Sequence, residues 1–295
     1  TRGSRKEFPA VAVIVAESDT VTIYDGDDPA MPMWMVFNGV LNTLIREIAV
    51  TSLSALNGII VVGVGAGSLH TISFIKDTGY WTTASTAWGG YFKGTIGQRN
   101  TTLQHQFMGT GSGLPVLVNV NVNDVAMTVL PNAPIDAATG LPVPTIAVAT
   151  DGGVSVIKDD GTVVDITFSS FGLCSYVSFT DEQKVSFTTD DTSANQRFLK
   201  VYAIPSADIS EGVGYDDNTA LESYDIRSAG TGVDLTLFKS STFGGTAQGR
   251  GIVGRKVAST SGVGLIDPNS AQPSSGMVSL ITSTYNTGWM NGDIK

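Results

Sequence analysis

Apolar and polar residues alternate through Thr145–Thr150, and Asp151-Gly152-Gly153 ends the run. A second run, Val154–Lys158, stops at Asp159-Asp160-Gly161, and a third occupies Thr162–Thr167. Period-two alternation broken by Asp/Gly turns predicts consecutive antiparallel strands, so residues 143–168 read as a compact meander.

Four other stretches read the same way. Residues 10–37 hold Ala10–Glu17, Thr20–Asp25 and the Met-rich Met31–Phe37, separated by Ser18-Asp19 and Asp25–Pro29. Residues 48–83 run from Ile48–Leu56 through Asn57-Gly58, a strong two-residue hairpin signal, to Ile59–Val64, Thr71–Lys76 and Tyr80–Thr83. Leu44–Leu56 also fits an amphipathic helix; its Thr, Val and Ile content and the Asn-Gly behind it favour strand. Residues 175–209 and 246–284 supply two more units, with strands at Tyr176–Phe179, Val185–Thr188, Phe198–Ile204, Gly251–Ala258, Val263–Asp267 and Met277–Thr284. Segments 86–115 and 210–245, rich in Gly, Ser, Thr and Asn, read as loops or insertions.

Tandem meanders with apolar inner runs predict an all-β chain, a β-propeller-like array of antiparallel meanders in a single domain over 1–295. The alternative is a β-sandwich with long loop insertions. No helix longer than a turn or two is required.

Composition narrows the function classes. Lys and Arg total 17 against 27 Asp and Glu, a formal net charge of −10, which disfavours nucleic acid and anionic membrane surfaces as partners. The best basic cluster, Arg250 to Lys256, contains two glycines and reads as a solvated rim. No apolar run is long enough for a membrane-spanning helix. Cys174 is the only cysteine, so no intrachain disulfide forms; it reads as a small buried hydrophobe. The opening Thr-Arg-Gly-Ser-Arg-Lys-Glu-Phe carries neither Met nor a signal core, and suggests an excerpt of a longer chain or a cloning scar at Arg2-Gly3-Ser4.

Candidate chemistry is sparse. Gly63-Val-Gly65-Ala-Gly67-Ser68 follows an apolar strand as a dinucleotide loop does, but Leu69–Ile75 behind it alternates like a strand, so a hairpin is expected. Asp77-Thr-Gly79 and Asp159-Asp160-Gly161 are similar in layout to the structural Asp-box turns of sialidases. Acidic loops at Asp25–Asp28, Asp190-Asp191 and Asp216-Asp217 lack a complete calcium loop, and only the pair Asp25 and Asp27 has suitable spacing. His70 and His105 are the only histidines, and neither neighbourhood offers a nucleophile elbow or a metal pair. The expectation is therefore a protein without catalytic residues, metal or cofactor.

Tyr80, Trp81, Trp88, Tyr91 and Phe92 form the densest aromatic cluster. Such residues, if exposed, could stack on sugar rings or meet a neighbouring subunit; ordinary packing under a loop is the plainer alternative.

Several longer phrases combine: Ile23-Tyr-Asp-Gly-Asp-Asp-Pro29, Met31-Pro-Met-Trp-Met-Val-Phe37, Val122–Pro131, Thr139–Ile157 and the closing Gly276–Lys295. Together they make the chain resemble the large virion structural proteins of tailed marine bacteriophages, in which a propeller-like region precedes glycan-binding modules. The resemblance implies a tail- or fibre-associated scaffold that contacts sister subunits and other virion proteins as a homo-oligomer and presents host-binding modules. Localisation in the virion after assembly in the host cytoplasm follows from it. It brings no catalytic residues. A glycan-binding module for host surface sugars and a polysaccharide depolymerase remain the alternative functions.

Overall fold

The computed structural model describes residues 8–46, 49–65, 67–84, 89–103, 106–107, 113–169, 172–180, 183–191, 196–211, 220–225, 243–244, 252–255, 262–267 and 277–282. Their architecture is all-β, with several antiparallel sheets, none closed on itself. A single 3-10 turn at Ile96–Gln98 is the helical element among the described residues.

The first sheet is the meander β1 (Ala12–Ala16), β2 (Thr20–Asp25) and β3 (Met33–Asn38). The second contains β4 (Val50–Leu56), β5 (Ile59–Val64), β6 (Ser68–Ser73), β7 (Thr78–Thr82), β8 (Gly89–Tyr91) and β9 (Gln106–Phe107), paired in chain order. The third is built from β10 (Val122–Thr128), β11 (Thr145–Thr150), β12 (Gly153–Ile157) and β13 (Val163–Phe168). The fourth holds β14 (Leu173–Phe179), β15 (Val185–Asp191) and β16 (Gln196–Tyr202); then β17 (Ile209–Glu211) crosses back to pair in parallel with β13, and β18 (Glu222–Asp225) returns to β16. A fifth meander comprises β19 (Phe243–Gly244), β20 (Ile252–Arg255), β21 (Gly262–Asp267) and β22 (Met277–Thr282).

Local chemistry explains the turns. Asn57 and Gly58 both have positive φ, 51° and 72°, the geometry of a two-residue turn whose twist suits the flanking strands. Gly153 sits at φ 133°, and a Cβ there would run into the carbonyl oxygen of Ile166 on β13, so only glycine fits. Leu44–Leu56 is strand from Val50 onward, while Leu44 and Ile45 are core side chains ahead of it. The glycine-rich segment after β5 is a hairpin, with Val64 opposite Ser68. Within 86–115, read as loop from sequence, lie β8, β9 and the 3-10 turn; β18 and β19 fall within 210–245, and β17 straddles its start.

The first four sheets stack face to face in chain order. Val21, Ile23 and Phe37 meet Ile60, Val62, Ile72 and Phe92 between the first and second sheets. Val61 and Leu69 meet Val122, Val125, Met127, Ile146 and Val148 between the second and third. Val154, Val156 and Ile166 meet Cys174, Val177, Phe179 and Phe187 between the third and fourth. Each buried Ile, Leu or Phe contributes about 2 kcal/mol by leaving water, so these interlayers hold the stack together. Such packing fits the β-sandwich alternative. The outer face of the first sheet, where Val13 pairs across Tyr24 to Met33, stays apolar and exposed.

β10 runs between β4 and β14, the first strands of their own sheets. All three strands carry an extra residue near the start: Thr51 in β4, Asn123 in β10, and the Ser175-Tyr176 step in β14. The Thr51 hydroxyl donates to the Val122 carbonyl at 2.8 Å, and Asn123 Nδ2 donates to the Cys174 carbonyl at 2.9 Å. One residue on, the Val125 amide donates to Ser52 Oγ at 3.3 Å, and the Val177 amide donates to Asp124 Oδ2 at 2.9 Å. Two successive interfaces are thus joined by the same two strand positions.

Candidate ligand groove beside the second sheet

Strand alternation divides the aromatic cluster. Trp81 and Phe92 are buried, at 1% and 4% exposure. Phe92 belongs to the core between the first and second sheets, and Trp81 lies opposite His70 and Gly90 in the strand register. The Arg46 guanidinium lies 4.6 Å above the Trp81 ring. Tyr80 and Tyr91, cross-strand partners on β7 and β8, point to the opposite face and are half-buried. Their ring centroids lie 5.7 Å apart at 54°. Trp88 lies outside the described residues.

The two tyrosines line a groove of about 470 Å³ on the face of the second sheet that also carries Ile59, Thr71 and Ser73. Its opposite wall is the connection between β10 and β11, which contributes Asp136, Thr139, Leu141, Pro142, Val143 and Pro144. That wall is held on itself by a bridge between Ile135 and Pro142, and Asp136 Oδ1 accepts from the Ala138 amide at 2.9 Å. It is tied to the sheet by Asn57 Nδ2, which donates to the Pro142 carbonyl at 2.8 Å, and by a 2.7 Å ion pair between Lys76 Nζ and Asp136 Oδ2. The Lys76 partnership holds the Asp136 carboxyl below its ordinary pKa, helped by the Ala138 amide. Burial raises the Tyr80 phenol above its ordinary value, opposed by its hydrogen bond with Thr71.

Two of the five aromatic candidates therefore share one site, and the structure adds Asn57, Lys76, Asp136 and Thr71, which sequence reasoning did not place there. The readable signal was the proline-rich connection Pro131-Asn-Ala-Pro134 to Pro142-Val-Pro144, too long for a hairpin turn.

A second, more polar groove of about 280 Å³ opens along β4, β10 and β14, around Ser52, Asp124 and Ser178. Ser52 Oγ donates to Asp124 Oδ1 at 2.6 Å there, so the carboxylate is engaged by three strands.

The other candidates sit as follows. Asp27 accepts from the Ala10 and Val11 amides at 2.8 and 3.1 Å, and Asp25 Oδ1 accepts from the Asp27 amide, so both carboxylates brace their own turn. His70 is buried on β6, with Nε2 2.9 Å from Ser68 Oγ. Cys174 is fully enclosed, and burial pushes its thiol pKa up. Asp160 Oδ1 accepts from the Thr162 amide and hydroxyl within its turn. His105 and Asp216-Asp217 lie outside the described residues, as do the side chains of Asp190-Asp191 and of the Arg250–Lys256 segment. Among the described residues no three His, Cys, Asp or Glu side chains gather as metal ligands.

No family model and no curated protein matches the chain. Among solved structures it is similar to one titled "Structure of U3-55K", at 9% identity and TM-score 0.45, covering 92% of this chain and 77% of that one. It is also similar to the computationally designed Ika8 protein, at 14% identity and TM-score 0.40, covering 88% of this chain and 69% of the other.

Proposed function

We propose that this chain is a β-propeller-like scaffold module of a tailed-bacteriophage virion, tail- or fibre-associated, working through contacts with sister subunits and other virion proteins. The observation that carries the scaffold reading is the repeated link between first strands. Thr51 and Ser52 hold β10 as Asn123 and Asp124 hold β14. A rule that repeats from sheet to sheet is what a radial array needs, and it sets short inner strands side by side with fixed spacing. Placement in the virion rests on the resemblance of the sequence phrases. The exposed Val13 and Met33 face of the first sheet offers apolar surface for a neighbouring subunit.

Three features support mechanical over catalytic work. The Cys174 thiol and the Ser68–His70 pair are enclosed, away from any substrate. Asp136 is the one carboxylate among the residues lining the larger groove, and it is paired with Lys76. Glycoside hydrolysis uses two carboxyl groups flanking the bond.

Antibody raised against the purified chain tests the reading. The expected result is labelling of the tail or fibres of purified particles by electron microscopy, with the chain recovered from those particles by mass spectrometry. A chain found in infected cells but absent from washed virions overturns it.

A further inference from the structure

We propose that the groove between Tyr80, Tyr91 and the Pro131–Pro144 connection binds a neutral pyranose unit of a surface glycan. Three observations converge on that chemistry, and none depends on the stack being a ring.

The first is shape. The Tyr80 and Tyr91 rings are set side by side by strand register, 5.7 Å apart, and remain half-buried rather than packed away. Together with Leu141 and Pro142 they give apolar plates of the size of a sugar's C–H face. The cavity, about 470 Å³, falls in the range that encloses small ligands.

The second is the polar pattern. Lys76 Nζ can donate beyond its bond to Asp136, and the Asp136 carboxylate can accept beyond Lys76 and Ala138. Asn57 presents Oδ1 because Nδ2 is committed to Pro142. Thr71, Ser73, Thr78 and Thr139 add hydroxyls around the same space. Alternating donors and acceptors above an apolar floor complement vicinal hydroxyls around an apolar ring.

The third is charge. Lys76 and Asp136 neutralise one another, so the groove offers no uncompensated charge to a uronic acid or a phosphorylated sugar. The chain's net charge of −10 adds long-range repulsion for anions. A proline-rich peptide would cover the tyrosines equally well and its carbonyls could accept from Lys76, but prolines have no N–H to donate to Asp136, whereas sugar hydroxyls both donate and accept.

Saturation-transfer NMR on the full chain, with millimolar methyl glucoside, galactoside and mannoside as probes, tests the assignment. Glucuronate and a proline-rich peptide serve as competitors of other chemistry. At least one neutral glycoside is expected to show transfer to its ring C–H protons. Tyr91→Ala and Asp136→Asn should each weaken that binding roughly tenfold. Circular dichroism confirms that both variants are folded, and Lys76→Met serves in place of either that is not. Absence of transfer to all three glycosides overturns the proposal. So does binding that Tyr91→Ala and Asp136→Asn leave unchanged, or a preference for glucuronate or the peptide. Virion labelling is read separately, so a failure here leaves the scaffold reading to its own test.

Discussion

Asp124 is the residue on which three strands converge. Its Oδ1 accepts from Ser52 Oγ and the Val125 amide, and its Oδ2 accepts from the Val177 amide. Burial raises its pKa above the ordinary carboxylate value, against the pull of Ser52, Val177 and Val125 in that order. The folded state therefore holds the proton more tightly than the unfolded chain. Stability from this group is complete below the unfolded pKa and is lost as pH rises through the higher folded one. Asp124→Asn has no such titration, so the wild type's advantage over it should narrow as pH climbs from about 3 to neutrality. Urea midpoints across that range measure the gap, and a gap that widens with pH contradicts the assignment. Asp124→Ala should cost about 3 kcal/mol at low pH and less toward neutrality, because it strips the Val177 amide and the Ser52 hydroxyl of their acceptor and, like Asn, does not titrate.

At the scale of elements, what was legible in the sequence depended on whether the signal was local. Asn57-Gly58, Asp151-Gly152-Gly153 and Asp159-Asp160-Gly161 each fix a turn by their own backbone preferences, and the strands around them fall in the expected units. β10 went unread because its bulge places Asn123 and Asp124 side by side and breaks the alternation. β8 is Gly89-Gly90-Tyr91, which carries almost no strand propensity and forms by pairing with β7. The groove was half legible for the same reason: Tyr80 and Tyr91 are close in sequence, whereas Asp136 arrives from a distant connection. β17 is the extreme case, a three-residue strand whose parallel pairing with β13 no local pattern announces.

That strand makes its own prediction. Glu211 ends β17, buried at 6% exposure, and Lys200 on β16 is buried at 1%, its Nζ 4.9 Å from the Phe168 ring and 5.0 Å from that of Phe198. Burial pulls the Lys200 pKa down to about 8, partly restored by the charge of Glu211. Removing the cation alone leaves a buried carboxylate uncompensated, so Lys200→Met should cost about 3 kcal/mol. The pair Lys200→Met with Glu211→Leu should recover most of that loss, since both charges leave together. Chemical denaturation of the two variants reads the difference; equal losses would mean the two side chains are not coupled.

For the molecule as a whole, the question is whether the sheet-to-sheet rule continues. In the second and third sheets, the bulged residue donates to a carbonyl on the next first strand, Thr51 to Val122 and Asn123 to Cys174. The residue after it accepts from an amide three positions beyond that carbonyl. Ser175 and Tyr176 occupy the same two positions on β14. In an array of neighbours, each interface contributes its own term to stability, and loss of one link is felt mainly there. Thr51→Val removes one hydroxyl-to-carbonyl bond and should cost about 1 kcal/mol. If the array extends past the fourth sheet by the same rule, Ser175→Ala should cost a similar amount, and Asn123→Ala somewhat more because Asn123 also donates to Asp151. Urea unfolding of the three variants in one buffer makes the comparison. A neutral Ser175→Ala beside a costly Thr51→Val would mean that the rule ends at β14 and that the stack is a finite pile of sheets, not an arc that keeps turning.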